Sequence, residues 1–321
     1  RHASTHEQSA LFGHRSVQAL LCADTWKLHH QSLLSAGDLL TKARLLGLGS
    51  WHACSFVHAL PIPHAGLRVP DSQVFRVMLL RLLGVPLLPA PIQCSVCSAP
   101  FDVYGNHAMV CSRGGDWKRR HDALAGLLAQ LASSAGLSVT RDPPNLLLDS
   151  SLRPGDLVLD GYSSGWHRTA LDITIRDTLQ SSSLTHAAVT RGYVASAAHA
   201  EKLRKYSQAC RAANVEFIPL VWETTGGCTP AVSELLSSWF KLAALRSPIP
   251  EALLRARFFA QFSIMLQRHN SWMVLTRLPP SSLPAWFAPL PLPDSATWVP
   301  LSTFLPSADS VSSGRAGPVV V

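Results

Sequence analysis

The chain has 321 residues, 47% of them hydrophobic and 15% charged, so it carries ample material for a packed core and is not a disordered charged tail. Lys and Arg number 28 against 20 Asp and Glu, and the net charge of +8 favours a polyanionic partner without naming one. No uninterrupted apolar run approaches the roughly 18 residues of a membrane-spanning helix, which argues against an integral membrane protein.

The chain opens on Arg1 without a basic-then-apolar leader and reads as a piece of a longer polypeptide. Residues 1–90 are rich in Leu, Ala, Ser and His. Leu33, Leu34, Leu39, Leu40, Ala43, Leu45 and Leu46 recur at helical spacing, and Pro61, Pro63, Pro70, Pro86 and Pro89 punctuate the end. The segment reads as a helical preamble or linker. Residues 91–115 are short and turn-rich. From 116 to 245 the pattern is α/β. A helix begins at Trp117 (Leu124, Leu127, Leu128, Leu131) and stops at Ser133, Ser134 and Gly136. Strands follow over 138–141, 156–160 and 168–176, then one long Ala-rich helix over 184–214, a strand over 215–221 and a helix over 232–245. Residues 246–275 extend the helical pattern. Eight prolines between Pro279 and Pro306, followed by a Ser/Gly-rich end, make 276–321 a largely disordered tail.

Seven cysteines in a chain of this length do not suit a disulfide scaffold and fit a reducing compartment. Cys22, Cys54, Cys210 and Cys228 are scattered and read as buried thiols. Cys94 and Cys97 flank two residues; His107 and Cys111 flank three. Two thiolates on one tight turn, joined by an imidazole and a third thiolate, match tetrahedral zinc. A complete ligand set makes that site structural rather than catalytic. His14, His29, His30, His52, His58 and His64 show no such spacing.

Alternation in the run 156–160 groups Asp156 with Val158 and Asp160. In the run 170–175 Asp172 and Thr174 share one face, with Leu171, Ile173 and Ile175 on the core face. A carboxylate inside an apolar strand needs a neutralising partner. If the two strands pair, Asp156 and Asp172 converge, and hard oxygen ligands select Mg²⁺ or Mn²⁺. The bland alternative is a turn-capping Asp156 and an Asp172 paired to an arginine. On the following helix Lys202, Lys205 and Tyr206 fall on one face, either towards the carboxylates or as a solvated basic stripe.

In order along the chain stand Cys94-x2-Cys97, His107-x3-Cys111, Arg120-His121, Arg153-Pro154-Gly155-Asp156, Asp172-Ile173-Thr174 and Lys202-x2-Lys205-Tyr206. This series, over about residues 90–245, resembles the restriction-like endonuclease domain of the PD-(D/E)xK superfamily found at the C-terminus of non-LTR retrotransposon reverse transcriptase polyproteins. The resemblance implies a restriction-endonuclease-like α/β fold, a mixed sheet flanked by helices, behind a Cys-Cys-His-Cys zinc knuckle and an α-helical N-terminal segment. It implies Mg²⁺- or Mn²⁺-dependent nicking of DNA in support of target-primed retrotransposition, in the nucleus. The element's RNA would be a further partner; no membrane is involved. Asp156 and Asp172 would hold the catalytic metal, and Lys205, with Lys202 in reserve, would orient water and stabilise the transition state. Lys118, Arg119, Arg120, His121, Arg153 and Tyr206 would contact DNA. Two positions depart from the family pattern: Gly155 is inserted between Pro154 and Asp156, and Thr174 occupies the slot of the motif lysine. The alternative reading is a catalytically inactive retroelement fragment that binds nucleic acid through the knuckle and a basic face.

Overall fold

Helix and strand boundaries fall where the local chemistry places them. The computed structural model describes residues 17–58, 72–144, 146–147 and 152–279, so most of the proline- and serine-rich tail lies outside the described residues. Helices α1 (Val17–Ala36), α2 (Leu39–Leu48) and α3 (Ser72–Leu83) come first. Asp38 caps α2 by accepting the Thr41 N–H at 2.7 Å, satisfying one orphan donor of the first turn. A small hairpin, β1 (Ile92–Gln93) and β2 (Pro100–Phe101), and the single-turn α4 (His107–Val110) follow. The remainder runs α5 (Asp116–Ser134), β3 (Val139–Arg141), β4 (Leu157–Asp160), β5 (Arg168–Arg176), α6 (Leu184–Ala187), α7 (Tyr193–Ala212), β6 (Val215–Glu223), α8 (Pro230–Ala244) and α9 (Glu251–Leu275).

The expected single helix over 184–214 is two helices. Gly192 sits at φ +70°, a conformation that costs an L-residue about 1–2 kcal/mol, and it breaks the chain between α6 and α7. Pro230 begins α8 at the position where its missing N–H is harmless. Strand β6 runs two residues further than the sequence pattern indicates.

The second sheet has the order β3-β4-β5-β6. β4 is antiparallel to β3 and β5, whereas β5 and β6 are parallel from Arg168↔Val215 to Arg176↔Glu223. Parallel neighbours need a crossover, which α6 and α7 supply. Leu157, Leu159, Leu171, Ile173, Leu220 and Trp222 bury one sheet face against Leu124 and Leu128 of α5, Trp239 of α8 and Phe262 of α9. Val158, Ala170 and Val215 bury the other face against Tyr206 and Cys210 of α7. The result is a mixed α/β arrangement with helices on both faces of the sheet.

α9 is packed into this core rather than appended to it. Phe258, Phe259 and Phe262 join the sheet cluster, while Met273 and Val274 join a second cluster around Phe101, Met109 and the knuckle cysteines. Among the described residues no helix is long and apolar enough to cross a membrane.

Candidate active site and metal-ligand cluster

β4 covers β5 only from Arg168 to Leu171, so the next residues of β5 pair with β6 alone. The register that sets Leu157 opposite Leu171 brings the preceding Asp156 level with Asp172. Gly155 makes that approach feasible. It sits at φ +98°, and a Cβ there would lie 3.0 Å from the Ala170 Cβ. The glycine that departs from the family pattern is therefore the residue that this turn requires. The Asp156 N–H donates to the Leu171 carbonyl at 2.8 Å, and the Ile173 N–H donates back to Asp156 Oδ2 at 2.6 Å. Asp156 and Asp172 both line one cleft of about 480 Å³, with His121, Thr174 and Lys202.

Each carboxylate has a cationic or ionisable partner. Lys202 Nζ lies 2.8 Å from Asp172 Oδ2 and 3.1 Å from Oδ1, and the Thr174 hydroxyl donates to Oδ2 at 3.3 Å. His121 Nε2 lies 3.2 Å from Asp156 Oδ2, and its Nδ1 lies 3.2 Å from Asp122 Oδ1. Lys118 continues the chain, 2.9 Å from Asp122. Burial pushes the Asp172 carboxyl above its ordinary value, and the Lys202 contact offsets this only in part. Burial alone would lower His121, but the Asp156 and Asp122 contacts raise it above the ordinary value. A buried carboxylate stays charged only with such a partner.

The residues singled out from sequence divide sharply. Asp156, Asp172, Lys202 and His121 come together, with His121 on a carboxylate rather than open to a phosphate. Lys205 does not join them: it is exposed, outside the lining of the cleft, with its amine 4.8 Å from the Tyr206 ring centroid. The lysine placed at the carboxylates is Lys202. Tyr206 is buried on Phe217, which rules it out as an open DNA contact. Arg120 is likewise buried, and its Nη1 donates to Asn270 Oδ1 at 2.8 Å. Lys118, Arg119 and Arg153 are exposed, with Arg119 3.2 Å from Asp116. Cys22 is exposed and Cys54 and Cys228 are part-buried, so of the scattered thiols only Cys210 is fully buried.

The second centre is the knuckle. Cys94 closes β1, and a left-handed Ser98 turns the chain into β2 after Cys97. Asp102 accepts the His107 N–H at 2.9 Å, seating the histidine at the start of α4, and the Cys111 N–H closes that turn on the His107 carbonyl at 3.0 Å. Ligand atoms of Cys94, Cys97, His107 and Cys111 all lie within 4.8 Å of one another, with Cys97 Sγ 3.2 Å from His107 Nε2. Three soft sulfurs and an imidazole so arranged can hold a metal ion such as zinc. Among the described residues no other group of three or more such side chains is close enough. Asp156 and Asp172 therefore offer a divalent cation two carboxylates. That fits Mg²⁺, which completes its shell with water and substrate oxygens.

Sequence reasoning missed the residue that backs the metal-ligand cluster. Arg277, fully buried, donates to Asp116 Oδ2 at 2.7 Å, the Met273 carbonyl at 2.8 Å and the Arg113 carbonyl at 2.7 Å. Burial pushes the Cys111 thiol up, but hydrogen bonds from Arg277 and the Arg113 N–H hold it below its ordinary value. Met109, Val110, Cys111 and Ser112 also line the cleft, so the knuckle forms one of its walls. No family model matches this chain and no curated protein matches it, so the reading of the site stands on its geometry.

Proposed function

We propose that the protein is a metal-dependent DNA endonuclease that nicks a phosphodiester in the cleft between β4, β5 and α7. The observation that carries this reading is the placement of Asp156, just before β4, and Asp172, on β5, in one cleft with Lys202 on Asp172. The motif order that resembles retrotransposon restriction-like endonucleases supports DNA as the substrate, the element's RNA as a second partner and the nucleus as the place of action.

Asp156 and Asp172 would hold Mg²⁺ or Mn²⁺, which when bound supplies Lewis-acid polarisation of the scissile phosphate. His121, held by Asp122, and the Ile173 N–H fix the Asp156 carboxylate; Thr174 fixes Asp172. The Lys202 ammonium, seated at Asp172, would donate to a phosphate oxygen as negative charge develops there. Exposed Lys118, Arg119 and Arg153 supply sequence-independent phosphate contacts, which give affinity and salt dependence rather than sequence choice. Zinc at Cys94, Cys97, His107 and Cys111 would stiffen the opposite wall.

Supercoiled-plasmid nicking in Mg²⁺ tests this. Asp172→Ala should abolish nicking, Lys202→Ala should slow it by about 10²–10³-fold, and Lys205→Ala should leave it within a few fold, with circular dichroism confirming that each variant folds. Wild type that binds but does not nick plasmid would favour the inactive nucleic-acid-binding reading, and nicking indifferent to Asp172→Ala would refute the site.

A further inference from the structure

The cleft that holds Asp156, Asp172, His121 and Lys202 is also lined by Val110 and Trp117, 52% and 48% exposed. Because both side chains line the same cleft as the carboxylates, a ligand that fills the cleft meets their apolar surface. Trp117 is four residues before His121 on α5, so both stand on one helix face, about one turn or about 6 Å apart along the axis. His121 in turn touches Asp156. Val110 is fixed from behind, since it lies between His107 and Cys111 of the knuckle. The indole therefore stands one helical turn from the histidine that touches Asp156.

A paired base keeps both faces stacked inside the duplex, whereas an unpaired base offers a free face to an aromatic ring. We infer that Trp117 and Val110 form a base-stacking subsite for an unpaired nucleobase of the DNA strand whose phosphate lies at Asp156 and Asp172. The inference rests on the reading of the cleft as a DNA site, and it gives that site a preference for strand ends, flaps, bulges or flipped nucleotides over unbroken duplex.

The test uses the full 321-residue chain and two DNA duplexes, identical except that one carries a single unpaired 2-aminopurine and the other the same base paired. Ca²⁺ replaces Mg²⁺ to hold hydrolysis off. Stacking on an aromatic side chain, worth about 1–3 kcal/mol per base, corresponds to a roughly 5- to 150-fold loss of affinity when the ring is removed. Trp117→Ala should show that loss on the unpaired duplex only and should abolish the quenching of 2-aminopurine seen with wild type. Trp117→Phe should keep most of both. Unchanged affinity and quenching in Trp117→Ala, an equal loss on both duplexes, or absence of DNA binding by wild type would overturn the inference. Loss of concentration-dependent self-association in its place would mark the patch as a contact between two copies and overturn it too. Quenching that depends on Trp117 in a protein that never nicks would sink the nuclease reading and leave the subsite standing. Nicking by a protein whose binding ignores Trp117 would do the reverse.

Discussion

Glu223, the last residue of β6, is almost wholly buried, 1% exposed. Its N–H donates to the Gly227 carbonyl at 2.7 Å in the turn that follows, and Asp177 and Cys228 lie nearby. Burial pushes the Glu223 carboxyl up from its ordinary 4.5 to about 7, and the Asp177 charge adds to the effect. In the unfolded chain this group ionises near 4.5, so between that pH and about 7 the unfolded state loses a proton that the folded state keeps. Stability from the neutral acid is complete below about 4.5 and drains away as pH rises through about 7. The difference corresponds to about 3 kcal/mol once the pH is well above 7. Glu223→Gln, close in shape and never charged, should escape that loss. Urea unfolding of the two proteins at pH 5 and pH 8 gives the comparison. The variant should gain about 2–3 kcal/mol on wild type between the two conditions, and contributions from all other groups cancel. A gap that stays constant with pH, or one that widens towards acid, would refute the reasoning.

Two further outcomes follow from contacts already described. Gly155→Ala puts a Cβ 3.0 Å from the Ala170 Cβ at φ +98°, and should destabilise by about 1–3 kcal/mol in thermal or urea unfolding; a neutral effect would show that the turn can relax away from Asp156. Arg277→Lys keeps a positive charge but cannot hold Asp116, Arg113 and Cys111 with one planar fork. Competition with a chromophoric chelator should find zinc bound about 10- to 100-fold more weakly, and unchanged affinity would disconnect Arg277 from the metal ligands.

Much of the site was legible because short-range spacing carries it. Two residues between Cys94 and Cys97 and three between His107 and Cys111 bring four ligand atoms together without any knowledge of the rest of the chain. Period-two alternation on β5 put Leu171 and Ile173 in the core and Asp172 with Thr174 opposite them. Choosing between Lys202 and Lys205 was beyond such reasoning. Both lie near Tyr206 on a helical wheel, and only the rotation of α7, set by packing Tyr206 and Cys210 onto the sheet, decides which amine reaches Asp172. Arg120 is the opposite case. It lies four residues before Leu124 and seven before Leu127, on the buried stripe of α5, so periodicity already placed it inside; reading it with His121 as a basic pair hid that signal. Nothing local announces Arg277, whose partner Asp116 is 161 residues away.

That separation bears on how the chain folds. The β5–β6 crossover closes over a few tens of residues, whereas the hydrogen bonds to Cys111 and the Arg113 carbonyl wait for Arg277. Closing so long a loop costs little extra free energy per added residue, but it slows the search for native contacts. During synthesis the metal ligands emerge well before Arg277, so the hydrogen bond it gives Cys111 forms only once the chain has reached residue 277. Docking of α9 seats Met273 and Val274 on Phe101 and completes the packing around the knuckle.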